Sequence, residues 1–157
     1  MDKHFELTDK FIINAFGIKL LQIKCTRKIK HADVGDLGGY IEKEDNLSGD
    51  AWVSGNAQVC GDAKVYGDAQ VSGNAQVSGD AKVSNNNEHC GFDCFGSANR
   101  HTHAYKTQSG KVEIICGCFR GSIEEFEEQV KKTHQGNEFE RQYMAIAEVI
   151  KIKLGLK

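Results

Sequence analysis

Residues 49 to 84 form six consecutive hexads that read Gly-[Asp/Asn]-Ala-x-Val-x without an insertion. A short fixed period is typical of repeat proteins, in which each unit buries its apolar side chains only by stacking on neighbouring units. A shift of three hexads reproduces the second and fourth positions at five of six comparisons, so the structural period is eighteen residues. The segment therefore predicts a short parallel β-helix with three hexads in each turn.

The third and fifth positions of every hexad are alanine and valine. β-Branched side chains suit a buried pleated surface, and small side chains fit where the walls of a narrow core converge. Each Gly-Asx pair is expected at a corner, because glycine tolerates unusual φ values and the Asx side chain can bond its own backbone. We expect the valines and alanines to form the core of the repeat.

The chain divides into an N-terminal β cap (residues 1–48), the hexapeptide-repeat β-helix (49–84) and a C-terminal ββαα module (85–157). In the cap, two apolar runs flank Gly17, which predicts a hairpin that covers the open end of the repeat. In the module, a hairpin is followed by a capping box at Ser122 to Glu125 and two amphipathic helices. The predicted fold is mainly β with a small α+β part.

Composition excludes several classes of function. The chain has 157 residues and a formal net charge of −2, which gives no reason to expect nonspecific binding to duplex nucleic acid. No apolar stretch is long enough to cross a bilayer, and the first residues lack a signal-peptide pattern. Six unevenly spaced cysteines do not resemble a secreted disulfide framework, so we expect a cytoplasmic protein with reduced thiols and no membrane partner.

Several short sequence segments resemble those of a known family. The segment Gly35 to Glu42, which leads through Asn46-Leu47-Ser48 into the repeat, resembles the left-handed β-helix proteins of phages and prophages that are often labelled polymer-forming cytoskeletal. Phrases around residues 96–100 and 116–122 resemble the C-terminal module of some members. The resemblance implies a left-handed helix, a homotrimer and a viral setting, with the host cell cytoplasm as the place of action.

The strongest candidate ligand site is the predicted hairpin of the C-terminal module. Its side chains combine positive charge, a hydroxyl, an imidazole and an aromatic ring, which are groups that bind phosphate or stack on a base. The candidates are Arg100, Thr102, His103, Tyr105, Lys106 and Arg120. Strand alternation would place them on two faces, and a solvated hairpin would have the same composition, so both interpretations stay open.

The cysteines of the module are a weak candidate for zinc. They are Cys90, Cys94, Cys116 and Cys118. Structural zinc sites usually have tighter and better separated ligand pairs, so buried thiols are the alternative that we favour, and we predict no metal and no cofactor.

Trp52 and Tyr66 are candidates for an oligomer interface. Trp52 is the only tryptophan, and it occupies an outward hexad position where the residue three hexads later is Gln70. An outward aromatic residue on the wall of a repeat is usually covered by a cap or another subunit. A solenoid of about three coils also buries little apolar area, which favours self-association as a trimer.

Three hypotheses for function follow. The first is a nonenzymatic phage or prophage protein, a host-defence antagonist that binds and sequesters a small nucleotide-like signal. The second is a structural element, or an inhibitor that binds a host defence protein. The third is a hexapeptide-repeat acyltransferase, which we regard as the remaining enzyme alternative because the six hexads contain no histidine to act as a general base.

Overall fold

The structure, a computed structural model, describes residues 3 to 155. Its N-terminal part contains strands β1 (Phe5–Ile13), β2 (Lys19–Cys25) and β3 (Leu37–Ile41), followed by a 3-10 helix (Glu44–Asn46). β1 and β2 pair antiparallel through a turn in which Gly17 has φ of 80°, so the predicted hairpin is confirmed. β3 then pairs antiparallel with β2 and parallel with the repeat.

The repeat contains six strands of two residues each. They are β4 (Trp52–Val53), β5 (Gln58–Val59), β6 (Lys64–Val65), β7 (Gln70–Val71), β8 (Gln76–Val77) and β9 (Lys82–Val83). Parallel pairs join Trp52 to Gln70, Gln58 to Gln76 and Lys64 to Lys82, which confirms the eighteen-residue period. The strands are short because the glycine that opens each hexad has φ between 62° and 65°, a left-handed conformation that ends a strand.

The C-terminal part contains four strands and two helices. They are β10 (His89–Phe95), β11 (Arg100–Lys106), β12 (Val112–Cys116), β13 (Phe119–Gly121), α1 (Ile123–His134) and α2 (Glu138–Lys153). The strands pair antiparallel in chain order. The predicted hairpin is β11 and β12, but the ββαα description is incomplete. The predicted description omits β10, which contains Gly91 and Asp93, and β13, which has only three residues. Both sequences have weak strand propensity, so the sequence did not indicate them as strands.

Both helices begin where their sequences indicate. Ser122 accepts a hydrogen bond from the Glu125 backbone N–H at 3.1 Å, and the Glu125 carboxylate accepts one from the Ser122 N–H at 3.0 Å, so the capping box is confirmed. Asn137 caps α2 through its side-chain oxygen. Within residues 3 to 155 neither helix is long and apolar enough to cross a membrane.

The prediction that the chain folds as a left-handed parallel β-helix is wrong. Across residues 3 to 155 the strands belong to four small sheets: a mixed sheet of order β1-β2-β3-β5-β8, an antiparallel sheet of order β10-β11-β12-β13, and two parallel pairs, β4-β7 and β6-β9. The hexads supply only two strands to each parallel wall at an offset of eighteen residues. Antiparallel hairpins on both sides contribute the longer strands, so separate mixed and antiparallel sheets, rather than a continuous solenoid, define the fold.

Two apolar cores lie on opposite faces of the four-stranded sheet. The alanines and valines of the hexads form the first core and are at most 2% exposed, and Tyr105 and Ile115 of the sheet belong to it. Ala104 and Ile114 belong to the second core, with the buried faces of α1 and α2. The molecule is therefore layered as repeat, sheet and helix pair, and β11 contributes to both cores.

Trp52 belongs to the first core, where the N-terminal cap of the same chain covers it. Its side chain is only 2% exposed, and its ring centroid lies 6.2 Å from that of His4. A Cβ atom at Gly38 would lie 2.8 Å from Trp52 Cζ2, which shows how closely β3 approaches the indole. The predicted place of Trp52 in an oligomer interface is therefore wrong. Tyr66 is half-buried and has Lys82 Nζ 5.9 Å from its ring centroid, so its interface role stays a prediction.

Candidate functional site

The strand β11 carries most of the residues predicted to bind a ligand and divides them between two faces. Ala104 belongs to the core under the helices, whereas Tyr105 belongs to the core of the repeat. Because side chains alternate along a strand, Arg100, Thr102 and Lys106 share the helix face with Ala104, and His103 shares the repeat face with Tyr105. The six predicted residues therefore do not lie together.

Three of the predicted residues are buried. Thr102 and Tyr105 are 0% exposed and His103 is 3% exposed. The Thr102 hydroxyl donates to Cys116 Sγ at 3.2 Å, which uses its hydrogen inside the core. Thr102, His103 and Tyr105 thus contribute to packing and internal hydrogen bonds rather than to a surface that a ligand can reach.

Arg120 and Tyr105 meet at one carboxylate where the sheet lies against the repeat. Arg120 Nε donates to Glu113 Oε1 at 2.8 Å, and the Tyr105 hydroxyl donates to the same oxygen. Burial, and then the bond to Glu113, raise the pKa of Tyr105, while the bond to Glu113 keeps the pKa of Arg120 above its usual value against the opposing effect of burial. A Cβ atom at Gly79 would lie 2.0 Å from an Arg120 nitrogen, so this cation covers the repeat backbone.

Arg100 lines a cavity of about 180 Å³ between the sheet and the two helices. The cavity residues are Ser97, Arg100, Cys116, Phe119, Phe126, Gln129, Val130, Thr133, His134 and Tyr143. Four of them present rings, and the adjacent ring centroids of Phe119, Phe126 and Tyr143 are each separated by 5.6 Å. The remaining ring, that of His134, stacks on Tyr143 at 5.6 Å with an interplanar angle of 26°.

The polar groups of this cavity come from the ends of β11 and β12 and from the helices. Tyr143 is 6% exposed, and its hydroxyl donates to the Phe95 carbonyl at 3.4 Å. Burial, followed by the neighbouring Cys116 thiol, raises the pKa of Tyr143, so this phenol stays neutral at physiological pH. The exposed Arg100 supplies positive charge, and Gln129 and Thr133 supply neutral donors and acceptors.

Gly117 determines where the Arg100 side chain lies. Its backbone has φ of 61°, and a Cβ atom there would be 1.9 Å from Arg100 Nη1. The guanidinium therefore lies directly against the turn between β12 and β13, in space that any other residue at position 117 would fill. The absence of a side chain at position 117 leaves room for the cation at the cavity.

A wider cavity of about 630 Å³ lies between the N-terminal cap and the first hexad. Its two cations are already paired: Lys3 Nζ lies 2.6 Å from Glu44, and Arg27 Nη2 lies 3.5 Å from Asp50. Its charges consequently offset one another and select no particular ligand. The smaller aromatic cavity has the more specific chemistry.

The cysteines of the module are dispersed. Cys116 is buried and Cys90 half-buried in the core under the helices, whereas Cys94 and Cys118 are exposed. Among residues 3 to 155, no three His, Cys, Asp or Glu side chains are arranged to bind a metal ion. The four cysteines are therefore better described as separate thiols than as a zinc site.

Sequence reasoning identified Arg100 but missed the aromatic residues around it as a site. Phe126 and Tyr143 have the spacing of core residues on amphipathic helices, and Phe119 follows a turn, so each has an ordinary packing explanation. The available signal was polar: Gln129 and Thr133 lie one helical turn apart next to the apolar face of α1.

Comparison with protein-family profiles, curated proteins and solved structures found no match to the chain.

Proposed function

We propose that the protein is a nonenzymatic binding protein that captures a small, planar, negatively charged ligand of nucleotide type. The observation that carries this proposal is the cavity in which Phe119, Phe126 and Tyr143 surround a space bordered by the Arg100 guanidinium. Aromatic faces stack on any base, and arginine binds phosphate through paired charge-assisted hydrogen bonds. The arrangement supports recognition of a ring system and an anion in one molecule.

The size of the cavity limits how such a ligand binds. A space of about 180 Å³ is below the range of about 300–1,000 Å³ that is usual for complete small-molecule sites. It admits a single base, and the sugar and phosphate remain at the opening, where Arg100 is exposed. We expect stacking to contribute about 1–3 kcal/mol and expect a mononucleotide unit to be the part recognised.

Calorimetry with a panel of mononucleotides, cyclic nucleotides and cyclic dinucleotides tests the proposal, with chromatography of the ligand afterwards. The expected result is binding of at least one member, recovery of that ligand unchanged, and at least tenfold weaker binding by Arg100→Ala. Arg141→Ala is the matched control, because Arg141 is an exposed cation of α2 outside the cavity. No binding by any member, or breakdown of the ligand, would contradict the proposal.

We further propose a biological setting for this binding. The resemblance of the phrases described above to phage and prophage proteins supports a role as a host-defence antagonist that sequesters a nucleotide-like signal in the host cytoplasm. Six contacts of Lys or Arg with a carboxylate, such as Lys43 with Asp62 and Lys151 with Glu127, offset positive charge among residues 3 to 155. This supports recognition of a small anion rather than of a nucleic-acid backbone.

A second candidate function, binding of a host protein, is favoured by the tip of the β1–β2 hairpin. Phe11, Ile13 and Phe16 are 52%, 57% and 47% exposed there. Exposed apolar side chains that lie together often mark a protein-binding surface. A stoichiometric partner that is retained from host lysate by wild type and Arg100→Ala, and lost with Phe11→Ser, would favour this candidate over ligand capture.

A further inference from the structure

A chain of hydrogen bonds through three histidines lies between the C-terminal sheet and the repeat. Asp93 Oδ1 is 2.7 Å from His101 Nδ1, His101 Nε2 is 3.0 Å from His103 Nδ1, and His103 Nε2 is 3.0 Å from His89 Nδ1. All four residues belong to β10 and β11 and lie on the repeat face of the sheet. At the outer end, Asn74 of the repeat approaches Asp93 with its amide at 3.5 Å.

The backbone of β10 is shaped around these rings. A Cβ atom at Gly91 would lie 2.6 Å from both His101 Cε1 and His103 Nδ1. His103 is 3% exposed and His89 is 9% exposed, so the inner part of the chain is removed from solvent. At the inner end, His89 Nε2 has no hydrogen-bond partner among the described residues, although the Gln70 backbone carbonyl of the repeat is close to the ring.

Counting protons explains that unpartnered atom. A neutral imidazole has one N–H and one lone pair, so three neutral rings supply three protons for the three bonds of the chain. Because the Asp93 carboxylate only accepts, every ring must donate through Nδ1 in the direction of Asp93. The last lone pair is then left at His89 Nε2, which is the atom that the structure leaves without a partner.

The same count shows how many additional protons the hydrogen-bond chain can accept as the pH falls. One additional proton can be accepted in two ways: it adds directly to His89 Nε2, or His101 becomes a cation beside Asp93 and the bonds after His101 reverse. In both cases His89 Nε2 gains an N–H that faces the Gln70 carbonyl. A second additional proton cannot be accepted. Each of the two internal contacts needs one bare nitrogen, so five protons on six nitrogens force two N–H groups to face each other across 3.0 Å.

The titratable groups around this hydrogen-bond chain lie on β10, β11 and α2, and in the turn that precedes β10. Burial lowers the pKa of His103 well below its usual value, and the neighbouring His89 and His101 lower it further. Burial and then Lys153 of α2 lower the pKa of His89, while the Gln70 backbone and Glu88 oppose this shift. The bond to His101 lowers the pKa of Asp93, so the carboxylate remains charged as the histidines begin to titrate.

We propose that Asp93, His101, His103 and His89 form a pH-responsive proton chain between the C-terminal sheet and the repeat. The contact between the sheet and the repeat is maintained while this hydrogen-bond chain carries at most one additional proton, and a second proton releases the contact. Since the inner histidines take up protons less readily in the folded chain, the stability that they contribute is present above the usual histidine range. It is lost as pH falls through and below that range. For each proton that only the unfolded protein accepts, the equilibrium constant for unfolding rises by about tenfold for every unit that the pH falls.

Imidazole ¹⁵N spectroscopy of the full-length chain gives a direct test. At pH 8 we expect the proton on Nδ1 of all three histidines and a bare Nε2 on His89. At lower pH we expect a proton on His89 Nε2 before the amides of β10 and β11 lose protection from hydrogen exchange, while those of β1 and β2 keep theirs. An Nε2–H on His101 or His103 at pH 8, or equal loss of protection in both sheets, would overturn the proposal.

Denaturant unfolding between pH 7.5 and 5 provides the second arm. Between pH 6 and pH 5, the unfolding constant of His103→Gln is expected to rise at least about threefold less than that of wild type. His31→Gln, which changes a histidine of the cap outside both the hydrogen-bond chain and the aromatic cavity, is expected to show the wild-type pH dependence. Equal pH dependence in wild type and His103→Gln would overturn the proposal. If His103→Gln does not fold, the spectroscopic arm on wild type decides.

Discussion

At the scale of single residues, the backbone of Gly117 and the guanidinium of Arg100 occupy adjacent space at the mouth of the aromatic cavity. Gly117→Ala introduces a methyl group where Arg100 Nη1 now lies, and also strains a backbone with φ of 61°. We expect a loss of about 1–2 kcal/mol in unfolding free energy from the backbone and weaker nucleotide binding from displacement of Arg100. Thermal unfolding and calorimetry measure the two effects separately.

Gly110→Ala is the matched control for this prediction. Gly110 has φ of 82°, but a Cβ atom there would meet nothing within 4 Å. We expect similar strain with unchanged binding. Equal loss of binding in the two variants would show that strain, rather than the position of Arg100, affects the cavity.

Trp52 provides a second test at the residue scale. Because the indole is buried between the first hexad and the cap, Trp52→Ala should lower the unfolding free energy by about 3–5 kcal/mol. The loss should not depend on protein concentration, and the half-buried Tyr66→Ala should cost less. A fall in molecular mass at unchanged stability would show instead that Trp52 acts between chains.

At the scale of elements, the helices of the C-terminal module could be predicted closely, because their signals are local. The Ser122–Glu125 capping box fixes the first turn of α1, and Asn137 begins α2. Ser122→Ala should reduce the unfolding free energy by about 1 kcal/mol, as measured by urea denaturation. Ser72→Ala, an exposed serine of the repeat, should change it by less than about 0.5 kcal/mol, and an equal effect of both substitutions would be inconsistent with capping.

The elements that could not be predicted depend on contacts between distant residues. β10 has weak strand propensity and is ordered by pairing with β11 and by the histidine rings that pack over Gly91. The cavity likewise depends on α2 bringing Tyr143 next to Phe126, which no local pattern specifies. For the same reason the hexads predicted their own period and core, but not that β5 and β8 continue the mixed sheet of β1, β2 and β3.

At the scale of the whole molecule, several large apolar side chains remain exposed. They are Phe11, Ile13, Phe16, Val34, Leu37, Phe95, Val149 and Ile152. We keep the proposal that the chain forms a homotrimer, now with these side chains and Tyr66 rather than Trp52 as candidates for burial. Light scattering at micromolar concentration should give three times the 17.3 kDa mass of one chain, and a mass of 17.3 kDa would contradict the proposal.

The layered arrangement leaves β11 shared between two chemically different environments. Arg100 faces the aromatic cavity, and the next residue, His101, faces the repeat as a member of the histidine chain. We expect a ligand that shifts this strand on binding to alter the protonation of the histidines. Thermodynamic linkage then requires that protonation change ligand affinity by the same factor. Proton uptake measured during ligand titration in two buffers of different ionisation enthalpy would report this coupling between Arg100 and His101, which are joined by a single peptide bond.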